Sequence, residues 1–121
     1  MAGGAFPGGE YRALVKRVVD GDTYEVEVDL GFRISHTIRV RLKDVDTPEI
    51  FGGASEDEKR RGRMAKTYVE GVILNTWVLI RTSKARSFNR WVADVWYYSI
   101  DDEARSLADA IVEHGHGVRV S

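Results

Sequence analysis

The chain has no cysteine, and only two prolines and two methionines among its 121 residues. Without cysteine there is neither a disulfide framework nor a thiolate zinc site. That absence suits a reducing cytoplasm and suits a cysteine-free secreted enzyme equally well. No stretch of the sequence reaches the roughly 20 apolar residues that a membrane-spanning helix needs, and no membrane partner is expected. Residues 2 to 9, Ala-Gly-Gly-Ala-Phe-Pro-Gly-Gly, show neither the charged start nor the apolar run of a signal peptide, and read as a mobile tail. The default compartment is therefore the cytoplasm, or the exterior if a leader has been removed. A strong net charge is missing too: the formal value is −1, which alone argues mildly against a nucleic-acid partner.

What is present supports a self-sufficient fold. With 43% hydrophobic residues, residues 10 to 121 are long enough to bury one core without cross-links, and a single monomeric domain is expected. The charge is unevenly spread. Residues 1 to 30 hold 3 basic and 6 acidic side chains, residues 31 to 90 hold 13 and 7, and residues 91 to 121 hold 2 and 6. A basic middle between acidic ends can set a positive field over one face of a nearly neutral molecule.

Hydrophobic periodicity orders the chain. Tyr11 to Val19 is strand-like, and Asp20-Gly21-Asp22 follows as a glycine turn between aspartates. From Thr23 to Leu30 the alternation is strict, with Tyr24, Val26, Val28 and Leu30 on one face. A turn at Asp29-Leu30-Gly31-Phe32 leads into a third strand, roughly Arg33 to Lys43. Ser55-Glu56-Asp57-Glu58 is a capping box. It opens a helix to about Leu74, with Met64, Tyr68 and Val72, and Ala65 and Val69 beside them, at helical spacing as its expected core face.

Strands at Trp77 to Thr82 and Arg90 to Tyr98 flank a basic loop, Ser83-Lys84-Ala85-Arg86-Ser87, and a second helix is expected to carry Ala104, Leu107, Ala108 and Ile111. The fold class is α+β, mainly β. Five short strands, with one helix after the third and another at the C-terminus, are the layout of an oligonucleotide/oligosaccharide-binding barrel.

Two acidic turns stand out against this background. Val18-Val19-Asp20-Gly21-Asp22-Thr23 is one; Arg39-Val-Arg-Leu-Lys-Asp-Val-Asp-Thr-Pro-Glu49 is the other, where Pro48 stops a strand at a cluster of Asp46, Thr47 and Glu49. Carboxylate and carbonyl oxygens are what Ca²⁺ takes, and a strand-borne guanidinium forks onto phosphate oxygens. Read one at a time, each residue has a plainer role: an ordinary turn, a strand stop, a surface arginine.

Read jointly, "VVDGDT" followed by "RLKDVDTPE" and "SFNRWVADV" resembles the staphylococcal nuclease (thermonuclease) family. The resemblance implies Asp22 and Asp46 as direct calcium ligands, with the carbonyl of Thr47 as a third. It implies Glu49 as the residue that orients or deprotonates the attacking water, and Arg41 and Arg90 as the arginines that grip the scissile phosphate. Lys84, Arg86 and Phe88 are the candidate substrate contacts in the basic loop. The implied activity is calcium-dependent hydrolysis of DNA and RNA, single strands preferred, to 3′-phosphate ends.

The chain departs from the family where Ser87, Phe88 and Asn89 replace the usual lysine, tyrosine and glycine before the second arginine. It also ends at Ser121, before the tyrosines that stack on the substrate base. The alternative reading is a non-catalytic barrel that binds nucleic acid or protein. A two-metal magnesium nuclease is a third, disfavoured by too few clustered acids.

Overall fold

A computed structural model describes residues 9–87 and 90–120, apart from the side chains of residues 84–87. The strict alternation after the first turn becomes β2 (Thr23–Asp29), with Tyr24, Val26 and Val28 buried and the residues between them half-exposed. β1 (Glu10–Asp20) pairs antiparallel with β2 on one side and with β5 (Trp77–Ser87) on the other. β3 (Ser35–Leu42) pairs antiparallel with β2, and β6 (Arg90–Tyr98) with β5. A parallel pairing of β3 with β6, Arg39 opposite Arg90 and Arg41 opposite Val92, closes the ring. The result is the expected closed five-stranded barrel, which leaves none of its five strands with an unpaired neighbour.

Short elements complete it. β4 (Val45–Asp46) pairs with β8 (Val118–Arg119), and β7 (Ala104–Ser106) adds to β6 beyond the ring. α1 (Glu56–Ile73) packs against β1, and α2 (Leu107–Glu113) lies on β6 and β7. One apolar cluster joins all three layers: Val15, Val26, Val40 and Ile80 of the barrel, Val69 and Ile73 of α1, and Leu107 and Ile111 of α2.

Four expectations shift at this stage. β3 starts at Ser35 rather than Arg33, because Gly31, Phe32 and Arg33 all take positive φ (81°, 55° and 62°) and curl the hairpin tip. The loop expected at residues 83–87 is strand: β5 runs on to Ser87, with register shifts after Thr82 and after Ala85 that bend it along β6. α2 begins at Leu107, not before Ala104. Ladder bonds to β6 hold Ala104–Ser106 extended, and the Ser106 hydroxyl then caps the helix by accepting from the Asp109 N–H (3.2 Å).

The fourth shift is a partial rotation of α1, which keeps Ala65 and Val69 of the expected face in the core and carries Met64 out of it. Its buried residues are Gly62, Ala65, Val69 and Ile73, whereas Met64 is 50% exposed and Tyr68 and Val72 sit at the margin. Gly62 explains the turn. A Cβ there would lie 2.7 Å from the Pro48 carbonyl oxygen and 2.9 Å from that of Glu49, so the helix meets the residue 48–50 backbone through its bare glycine. That contact fixes the rotation about the helix axis. At the N-terminus the Ser55 Oγ accepts from the Glu58 N–H (3.1 Å) as expected, while the Glu58 carboxylate accepts from the Glu49 N–H (3.3 Å) in place of the return bond of a capping box.

Candidate active site

The first acidic turn joins β1 to β2. Its backbone folds on itself: the Asp22 N–H donates to Asp20 Oδ1 (3.1 Å), and the buried Tyr24 hydroxyl donates to the Gly21 carbonyl (2.6 Å). The Leu42 N–H donates to the Asp22 carbonyl (2.9 Å), tying the turn to the end of β3. Gly21 faces Thr47 so closely that a Cβ would lie 2.7 Å from its Oγ1. Glycine is thus required where the first acidic turn meets the second.

Asp22 is the most deeply placed carboxylate of the site, at 5% exposure. Its Oδ1 accepts from the Thr23 hydroxyl (3.2 Å), and its Oδ2 accepts from the Thr47 N–H (3.1 Å). The same Oδ2 lies 3.5 Å from Arg41 Nη1, while Arg41 Nη2 contacts Asp46 Oδ1. Two carboxylates, one from the β1–β2 turn and one from β4, therefore converge on one guanidinium. Arg41 points this way because Ile38, Val40 and Leu42 of the alternating strand fill the core, sending Arg39 and Arg41 to the opposite face. Asp44, at the turn into β4, takes φ of 64°, and its carbonyl accepts from the Val120 N–H (3.0 Å). Its part is structural.

Asp20 was not singled out as a functional candidate in the sequence, yet it shares the turn. Burial, reinforced by its hydrogen bond and charge interaction with Asp22, raises its carboxyl from the ordinary value to about 6. Burial likewise pushes the Tyr24 hydroxyl well up, with the charges of Asp22 and Asp20 adding to it.

The remaining candidates lie further out. Glu49 is exposed, two residues past Thr47, and its N–H donates to Glu58 Oε2 of α1 (3.3 Å). Arg90 is exposed at the start of β6, directly opposite Arg39 and so two positions along the ladder from the rung of Arg41. Arg39 is a cation that sequence reasoning passed over. It is held by Glu25 (2.8 Å) and shares a depression with Arg90; its i, i+2 spacing from Arg41 was the available signal. The side chains of Lys84 and Arg86, and Phe88 altogether, lie outside the described residues.

The donors that converge are hard oxygens, the set that suits Ca²⁺ or Mg²⁺ and not a thiophilic metal. Among the described residues no three His, Cys, Asp or Glu side chains come together, so a cation here would take two carboxylates and complete its shell from carbonyl, water or ligand oxygens. Asp22 and Asp46 already face a common positive group, as such a pair must.

Residues 39–120 match the family of staphylococcal nuclease homologues. The chain belongs to that family. The match contains Arg41, Asp46, Thr47, Glu49 and Arg90, and Asp22 is bonded to it through the Thr47 N–H. Among curated relatives of this staphylococcal nuclease homologue, "Protein ParB" of Escherichia coli is 33% identical over 112 residues, 88% of this chain and 55% of ParB. "Endonuclease YhcR" of Bacillus subtilis (strain 168) is 36% identical over 69 residues, 54% of this chain and 5% of the endonuclease. Both relatives are longer proteins that the chain matches only in part.

Proposed function

We propose that the chain is a calcium-dependent nuclease that hydrolyses phosphodiester bonds of DNA and RNA, preferring single strands and leaving 3′-phosphate ends. The observation that carries this reading is the convergence of Asp22 and Asp46 on the Arg41 guanidinium. Membership of the nuclease-homologue family and likeness to a protein named as an endonuclease support the reaction class. Calcium and the product end come from the resemblance of the acidic turns.

A phosphodiester is anionic and repels nucleophiles, so the site must aim positive charge at the phosphoryl oxygens as charge builds in the transition state. Asp22, Asp46 and the Thr47 carbonyl would hold Ca²⁺, which when bound supplies Lewis-acid stabilisation and positions the phosphate. Arg41 exchanges its carboxylate contacts for phosphate oxygens, and its fork allows two parallel bonds where a lysine allows one. Arg90, two ladder positions away, grips the same phosphate. Glu49, at an exposed position beyond Thr47, takes the proton of the attacking water, and the 5′ oxygen leaves with a proton drawn from solvent.

The decisive test is cleavage of denatured DNA with Ca²⁺, with Mg²⁺ and with a calcium chelator, running Arg41→Ala beside the unaltered chain. Cutting that requires calcium and is lost in the variant is expected. Binding without cutting in every condition would replace this reading with the non-catalytic binding barrel.

A further inference from the structure

A groove opens directly from the acidic turns. It lies between the first half of α1 and the turn joining α2 to β8, with a volume of about 590 Å³, and it begins at Asp46 and Thr47. Arg60 and Arg61 of α1 line one wall, and His116 lines the other. A second depression of about 460 Å³ shares Arg60, Met64 and His116 with the first and extends it to Tyr68. The two form one track along the outer face of α1.

The track is held in shape by its glycines and rings. A Cβ on Gly117 would lie 2.9 Å from the Asp46 carbonyl oxygen and 2.8 Å from the Ile111 side chain, so the His-Gly-His-Gly turn is pressed against β4. Gly115, at φ of 76°, ends α2 and turns the chain toward the groove. Both imidazoles lie against the Tyr68 ring, with centroids 4.9 and 4.8 Å away. His114 Nδ1 lies 2.9 Å from the Ala110 carbonyl and 3.1 Å from the Tyr68 hydroxyl, so the ring is held between the helix end and the tyrosine. His114 is thereby tied to the helix end, and both it and His116 line the groove, His116 alone continuing into the second depression.

The chemistry of the walls is that of a single-strand reader. Arg60 and Arg61 share one carboxylate, Asp57, at 2.7 and 3.1 Å, and Glu58 offsets the charge that remains, so the net positive charge of the helix wall is supplied by Arg63 in the second depression. The carboxylate of Glu58, also in the lining, accepts from the Glu49 N–H. Guanidinium groups for phosphate, planar rings and an exposed methionine for base and sugar are what a sequence-tolerant strand needs. Asp46 and Thr47 belong to both the cleavage centre and the groove, so a polymer with its phosphate at Arg41 has the track in front of it.

We infer that this track is a subsite for the nucleic-acid strand beyond the cleaved bond, with Arg60 and Arg61 on a phosphate and His116 and Tyr68 against the neighbouring nucleotide. The inference rests on the nucleic-acid reading of the adjoining centre. Its test separates the two. Binding of a short labelled single-stranded oligodeoxynucleotide is followed by fluorescence anisotropy in chelator, where no calcium-dependent cutting intervenes.

The Arg61→Ala/His116→Ala double variant is expected to raise Kd about tenfold and to flatten the salt dependence by about 0.7 in log–log slope, one phosphate contact on a single strand. Arg61→Glu, at an exposed helix position, is expected to weaken binding as well. Arg33→Ala, an equal charge loss on the β2–β3 hairpin, is expected to change Kd less than twofold. Unchanged Kd and slope in both groove variants, or an Arg33 effect of the same size, would overturn the subsite. Calcium-dependent hydrolysis of a single-bond chromogenic phosphodiester by the unaltered chain reports on the centre alone. Its absence, with groove-dependent binding retained, would overturn the nuclease reading and leave the subsite standing.

Discussion

Glu49 illustrates what a single side chain is asked to do. It stands at an exposed position fixed at its N–H by Glu58, close in sequence to the residues proposed to hold calcium and free of the convergence on Arg41. If it removes the proton of the attacking water, Glu49→Gln keeps shape and loses basicity. We expect kcat for denatured DNA to fall on the order of a hundredfold with calcium affinity little changed; a fall under about tenfold would contradict the role.

Asp20 gives a prediction that needs no substrate. Its carboxyl is raised to about 6 by burial and by Asp22, so the folded state binds this proton more tightly than the unfolded one, whose value is near 3.9. The proton therefore favours folding below about pH 4, and the advantage is lost as pH rises through about 6. Asp20→Asn should accordingly stabilise the calcium-free protein near pH 7 by about 1–2 kcal/mol, with the gain vanishing below about pH 4. Urea unfolding midpoints measured in chelator across that range decide it.

At the scale of elements, α1 holds two glycines that propensity treats alike and packing does not. Glycine in a helix interior costs up to about 1 kcal/mol relative to alanine. At Gly71 a Cβ meets nothing within 4 Å, so Gly71→Ala should raise stability by up to about that amount. At Gly62 the same methyl would strike the backbone of Pro48 and Glu49. Gly62→Ala should lower stability by about 1–2 kcal/mol despite its better propensity, and should depress cleavage as well, because the displaced segment carries Glu49. Thermal midpoints of the pair would shift in opposite directions, with cleavage slowed only in Gly62→Ala, and midpoint shifts of equal sign would refute the packing argument.

For the molecule as a whole, the single apolar cluster shared by barrel, α1 and α2 implies one cooperative unit. Tryptophans 77, 91 and 96 lie on β5 and β6, while the helical signal comes mostly from α1. Near- and far-ultraviolet circular dichroism should therefore melt together. Ile73→Ala, which empties a fully buried position between α1 and the barrel, should lower stability by about 2–5 kcal/mol in both signals at once. Separate transitions would show that α1 unfolds on its own.

The sequence alone determined the alternating strands, the capped first helix and the two acidic turns, because each is written in residues a few positions apart. Periods of two and of 3.6, a Ser-x-x-Glu box, and Asp-Gly-Asp or Asp-Thr-Pro-Glu turns are local patterns. The tertiary structure decided what depends on residues distant in the chain. β6 drew Ala104–Ser106 out of a helical pattern, and carbonyls of residues 48 and 49 turned α1 onto Gly62. The Thr47 N–H and Arg41 drew Asp22 and Asp46 to one point. Register, helix rotation and the meeting of charges are set by contacts that form only when the barrel closes.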